Sequence, residues 1–293
     1  MRLSGLRREG ADRTTQRQHG MSDRRETWLL LIPGLALLVL GFILPIGRML
    51  ILSVQGEDGF SLEQFARFFQ DSFYPFILWR TVYLSAIITF FCLLIGFPLA
   101  YIMAHSSPRT RLWMVVMVIL PLMTSVVVRT FGWMVLLSRS GLIATTLRDL
   151  GLVGRGFQLM HTETAIVLGM VQVLLPFMVL SLLGVLLRLD PKLEEAARTM
   201  GCSFLQTIRT VVLPLAVPDL LAGSILVFTL SASSFVTPSL LGGARIEVLA
   251  GSIYKNVTQT LDWNFAAAQA VILFAGIALL LVPYLRLGAR NHG

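Results

Sequence analysis

The chain is poor in charge, lysine and cysteine, and each shortage excludes a class of protein. Only 14% of its 293 residues are charged while 55% are hydrophobic, and the mean hydropathy is +0.76. Globular domains hold about 45–50% apolar residues and their surface helices need a polar face, so a soluble helical bundle fits poorly. The two lysines, Lys192 and Lys255, are followed by Leu and Asn. A phosphate-cradling loop ends in Gly-Lys-Ser or Gly-Lys-Thr, so the chain supplies no nucleotide-hydrolysing loop. Cys92 lies in an apolar run and Cys202 in a polar loop, which leaves neither a disulfide framework nor metal-ligand spacing. No cofactor is expected. Ser231, Ser233 and Ser234 have no histidine near them in sequence, since the four histidines fall in tails or loops. Hydrolase chemistry is therefore unsupported, and these small polar residues are better suited to packing helices or lining a path.

What the chain has in quantity is long apolar runs. A bilayer core about 30 Å thick needs roughly 20 mostly apolar residues in a helix. Runs of that length lie near 28–54, 77–104, 112–137, 164–187, 211–241 and 265–285. The fourth and sixth hold no charged residue; the others hold one each, Arg48, Arg80, Arg129 and Asp219. The fold class expected is all-α, a polytopic membrane protein of six transmembrane helices. Nine of the twelve prolines fall inside the runs, and every run has at least one. Proline frees backbone groups that at membrane depth must face protein or a water-filled cavity, which suits a transporter better than an inert anchor.

Residues 1–27 form a basic tail with seven arginines, 28–286 the six-span domain, and 287–293 a short C-terminal tail. The first run is too long for a signal-peptide core and lacks a small-residue cleavage pattern. Met21 is an alternative start to Met1. Counted on alternate sides of the runs, fifteen Lys and Arg residues share the side of the N-terminus and six lie opposite, or ten against six from Met21 onward. Cytoplasmic loops are enriched in Lys and Arg, so both termini are expected in the cytoplasm. The net charge of +8 then reflects topology and contact with anionic lipid, and no nucleic-acid partner is expected. The outer loops, near 55–76, 138–163 and 242–264, carry enough aromatic and apolar residues to form short surface helices, on which a partner docks or which simply cap the bundle.

Between the fourth and fifth runs lies the most charged interior stretch, from Arg188 to Arg209. Asp190 suits a helix N-cap, Pro191 the first helical position and Gly201 the residue just past a helix end. The spacing predicts a helix over Pro191 to Met200. Ser203 and Gln206 have capping-box spacing for a second helix, running to Leu213-Pro214. On the first helix Leu193, Ala196, Ala197 and Met200 share an apolar face, with Glu194 and Arg198 able to pair four residues apart on the other.

Glu195-Ala196-Ala197, Gly201, Val211 and Leu213-Pro214 stand at every spacing of the signature of binding-protein-dependent ABC importer permeases, which this sequence resembles from about Trp28 onward. Leu174–Met178, Phe235–Gly243, Leu261–Ala266 and Gly96–Tyr101 look like the spermidine/putrescine branch, first-permease type. Two departures stand out: Arg198-Thr199-Met200 before the glycine, and Asp219 after Pro218.

The resemblance implies a type I importer permease in a bacterial inner membrane, with 190–214 as the coupling segment. Glu195, Ala196, Ala197, Met200, Gly201, Leu213 and Pro214 would meet a separate ATPase. Further partners would be a second permease and a solute-binding protein. Candidate path or gate residues are Arg129, Trp133, Ser231, Ser234 and Phe235. A polyamine-like solute is implied, although carboxylates and aromatic faces that recognise polycations are scarce in the runs. Another solute, such as an opine or amino-acid derivative, stays open, as does an ATP-independent channel or secondary transporter.

Overall fold

The computed structural model describes residues 31–56, 59–154 and 156–290, with side chains as far as Leu280. The basic tail 1–27, with Met21, and residues 291–293 lie outside the described residues. The helices are α1 Leu31–Ser53, α2 Glu63–Gln70, α3 Phe73–Ala104, α4 Pro108–Ile119, α5 Val126–Leu137, α6 Leu142–Asp149, α7 Glu163–Leu186, α8 Pro191–Thr199, α9 Phe204–Ser233, α10 Val236–Gly242, α11 Leu249–Thr258 and α12 Trp263–Arg290. A hairpin of two-residue strands, Gln55–Gly56 with Gly59–Phe60, follows α1. Among the described residues, six helical stretches are long and apolar enough to cross a membrane: α1, α3, Val126–Asp149 (α5 continued through a turn into α6), α7, α9 and Trp263–Leu280.

Two expected spans are interrupted. The third run, 112–137, divides into α4, a 3-10 turn over Leu120–Met123 and then α5. Pro121 supplies no amide hydrogen at that turn, and Thr124 and Ser125 are extended. Arg129 therefore sits in the first turn of α5 rather than 17 residues along a continuous helix. The fifth run, expected to continue to 241, stops at Ser233; Ser234 is extended and α10 starts afresh at Val236. Elsewhere proline is absorbed without a break. Pro98, Pro176 and Pro218 lie inside continuous helices, while π-helical turns at Val39–Ile43 and Ile208–Val212 precede Pro45 and Pro214. A widened turn relieves the clash of the proline ring with the preceding turn's carbonyl.

The core is the packing of α3, α7 and α9 against one another, with α10 laid on α5 and α7, and α12 on α1 and α11. Lipid is as apolar as leucine, so close van der Waals fit must hold such helices together, and small residues permit it. A Cβ on Gly96 of α3 would stand 3.0 Å from Met178 Cγ, and one on Gly223 of α9 would stand 2.9 Å from Ser181 Oγ. Both contacts are on α7, the most deeply buried span. The expected surface helices are present as α2, α6 and α11. α2 is fastened by the Arg67–Asp262 ion pair at 2.7 Å, with the Arg67 guanidinium 4.1 Å above Phe265, and α11 by Leu249 N–H donating to Thr81 Oγ1 at 2.9 Å.

Candidate functional site: the α8 segment and the broken spans

The α8 segment is built by local rules. Asp190 accepts from Lys192 N at 3.0 Å and Pro191 opens the helix. At the other end Gly201 N donates to Arg198 O at 3.0 Å and Cys202 N to Ala197 O at 3.1 Å, with Gly201 at φ +90°. This paired closure satisfies the last carbonyls and needs a left-handed residue at Gly201. Ser203 and Gln206 then form the expected capping box, Gln206 N to Ser203 Oγ at 3.4 Å and Ser203 N to Gln206 Oε1 at 2.9 Å, and start α9.

The faces of α8 differ from the helical-wheel expectation. Ala197 is buried, but Glu195, Ala196 and Met200 are exposed, and Leu193 is 45% exposed. The apolar stripe is thus bare over most of its length. Leu213 and Pro214 are also exposed, at the start of the regular part of α9. Glu194 instead turns inward, with its side chain 13% exposed. Tyr101 Oη, near the end of α3, donates to Glu194 Oε2 at 2.7 Å, and His105 Nε2 lies 3.2 Å from Oε1. The expected Arg198–Glu194 pair is present only at 3.9 Å, while the Arg198 guanidinium lies 5.8 Å from the Phe204 ring. Nothing in the sequence near Glu194 signals a partner 93 residues away.

The candidate path residues fall into two groups. On α5, Arg129 Nη2 donates to Thr124 O at 3.1 Å, across the break, while its Nε and Nη1 are shielded and have no partner among the described residues. One turn on, Trp133 Nε1 donates to Gln172 Oε1 of α7 at 3.4 Å. The second group is at the other break: Ser231 is buried and its hydroxyl has no partner among the described residues, Ser234 N donates to Ser231 O at 3.2 Å, and Phe235 stacks on Tyr254 at 4.6 Å. The helices that carry the two breaks, α5 and α10, pack together and are joined by the Thr130–Thr237 hydroxyl bond at 3.1 Å.

Two of the four span charges form ion pairs. Arg80 reaches Glu163 at 3.8 Å, donates to Glu247 O at 3.4 Å and lies 4.5 Å from the centroid of Phe76, so it fastens α3 to α7 rather than reaching toward headgroups. Asp219 and Arg188 form an ion pair at 3.7 Å at the α8 end of the bundle.

Six apolar spans, with a capped, glycine-closed helix between the fourth and fifth, describe a multi-pass membrane protein. The chain belongs to the family of binding-protein-dependent transport system inner membrane components, which it matches over residues 96–287. It is 32% identical over 267 residues to the spermidine/putrescine transport system permease protein PotB of Haemophilus influenzae, covering 89% of this chain and 90% of that one. PotB of Escherichia coli K12 is 32% identical over 227 residues, 78% of this chain and 82% of that protein. Among solved structures, a bacterial ABC transporter involved in the import of the acidic polysaccharide alginate has the same fold, with a TM-score of 0.70 over 93% of this chain and 99% of that one at 18% identity. The chain is therefore a non-catalytic, multi-pass inner-membrane permease subunit of an ABC importer, a class that works with an ATPase and a solute-binding protein.

Proposed function

We propose that this subunit carries a polyamine-like small organic solute, pairs with a second permease, and receives the motion of its ATPase through α8. In this reading both termini and α8 are cytoplasmic, in keeping with the excess of Lys and Arg on that side. The bare stripe of Leu193, Ala196 and Met200, with Glu195 beside it, would seat in the ATPase, and Gly201 would hold the angle between α8 and α9. Arg129, Trp133, Ser231, Ser234 and Phe235 would line or gate the path, because they stand at the two interrupted spans.

The single observation that supports a polyamine is the 32% identity, over nearly the full length, to a spermidine/putrescine permease. A second reading has a specific observation in its favour. Asp219 is paired with Arg188 and Glu163 with Arg80, whereas the Nε and Nη1 of Arg129 have no partner among the described residues. That inventory favours a solute with a carboxylate, such as an opine or amino-acid derivative. Titrating the cognate binding protein with spermidine, with putrescine and with an opine separates the two, followed by uptake competition in cells. Micromolar polyamine binding is expected; binding confined to the opine overturns the polyamine reading and leaves the importer class intact.

A further inference from the structure

We infer that Tyr101, His105 and Glu194 form a clasp that ties the coupling helix to α3, so that motion of α8 reaches the core span directly as well as through its chain connections to α7 and α9. This rests on the coupling role proposed for α8. Among the described residues, the two contacts to Glu194 are the only side-chain hydrogen-bond or ion-pair links from α8 to another element: Tyr101 Oη at 2.7 Å and, just past the end of α3, His105 Nε2 at 3.2 Å.

Each partner is held in place. The Tyr101 side chain is 8% exposed, lies against the His105 ring with centroids 4.2 Å apart and meets Phe204 of α9 edge-on at 5.8 Å. His105 Nδ1 lies 2.9 Å from Tyr101 O. Both ring nitrogens thus face oxygen atoms, a carbonyl and a carboxylate. The end of α3 is itself fixed: Arg111 of α4 donates to the carbonyls of Met103, Ala104 and Ser106 at 3.0, 2.8 and 3.0 Å. A guanidinium there satisfies carbonyls that a helix end leaves open.

The far end of α3 is anchored too, by Arg80 on Glu163 and the Glu247 carbonyl and by Thr81 on Leu249 N. α3 has 32 residues, about 48 Å at 1.5 Å per residue. It is a single helix clasped to the coupling helix at one end and to the α11 segment at the other. In this account Glu194 is a positioning residue, turned away from the ATPase, whereas Glu195 faces it.

The test uses the complete transporter, this chain with its ATPase and permease partners in nanodiscs, and the cognate binding protein as probe. The readout is ATP hydrolysis with saturating binding protein relative to hydrolysis without it. Tyr101→Phe keeps the ring and removes the bond to the carboxylate; the expected result is about a tenfold loss of stimulation with the same amount of ATPase co-purified. Glu194→Ala should lose as much, Glu194→Gln should recover roughly half because it retains an acceptor for Tyr101, and Tyr101→Phe/Glu194→Ala should be no worse than Glu194→Ala alone. Should Glu194→Ala fail to assemble, Tyr101→Phe decides. Wild-type stimulation in Tyr101→Phe, or additive losses in the double variant, overturns the clasp. Ala196→Asp on the bare stripe tests the underlying coupling role separately: if it leaves stimulation intact the coupling role fails, and if it abolishes stimulation while Tyr101→Phe does nothing the clasp alone fails.

Discussion

Replacing Gly201 isolates the backbone angle between α8 and α9. Its φ is +90°, and a Cβ added there meets nothing within 4 Å. A substitution therefore causes no clash, and its whole effect is the cost of holding a side chain in a left-handed conformation, about 1–2 kcal/mol for an ordinary residue. That lowers the population of the closed turn about five- to thirtyfold relative to open alternatives. Asparagine tolerates this region better than alanine, and β-branched residues tolerate it least. Aspartate shares part of asparagine's tolerance but places a negative charge at the negative end of α8, adding about 0.3–1 kcal/mol. The predicted order of retained stimulation of ATP hydrolysis by the binding protein is Gly, Asn, then Ala and Asp, then Val. The assay uses the reconstituted transporter at matched amounts of co-purified ATPase. Equal activity of Gly201→Val and wild type would refute the reasoning.

Arg129→Ala should lower uptake at normal expression if the guanidinium takes part in the path; unchanged uptake at normal expression removes it from the path. Ser203→Ala deletes one half of the capping box, about 1 kcal/mol, and should raise amide exchange at Gln206 about fivefold without changing the yield of folded protein; unaltered exchange would count against the box. Gly223→Leu puts its side chain into Ser181 and Met178, and should lower the thermal midpoint and the recovered yield, with Gly184→Leu, whose Cβ would meet nothing within 4 Å, as the neutral comparison. Comparable losses in both variants would show that close approach of α9 to α7 is not what Gly223 provides.

The spans and the α8 caps were legible because each rests on a local rule. Apolar runs report bilayer thickness, Asp190 and Pro191 report a helix start, and Ser203 with Gln206 reports another. The two interruptions were hidden for the same reason. Pro121 marks the break in the third run, but Pro98, Pro176 and Pro218 look the same in sequence and lie within unbroken helices. The fifth run breaks at Ser234 and Phe235, four residues before Pro238, which lies in the first turn of α10 and cannot donate to the Ser234 carbonyl; the residues beyond remain apolar and Pro218 in the same run causes no break. Hydropathy measures partition into lipid and is blind to whether the helix continues. Glu194 was misplaced on the outer face because a helical wheel groups side chains by polarity, while its actual direction is set by Tyr101 and His105 on a distant span. Arg80 was read alone for the same reason, although Glu163 and the Glu247 carbonyl hold it.

The central claim, that the bare stripe of α8 seats in the ATPase, is tested most directly by cross-linking in the assembled transporter. With Cys202→Ser as background, Met200→Cys should form a cross-link to the ATPase subunit with a short bifunctional thiol reagent, while Tyr254→Cys on α11, half-exposed at the opposite end of the bundle, should form none. Cross-linking at Tyr254→Cys and not at Met200→Cys, in a complex that retains its ATPase, would contradict the account.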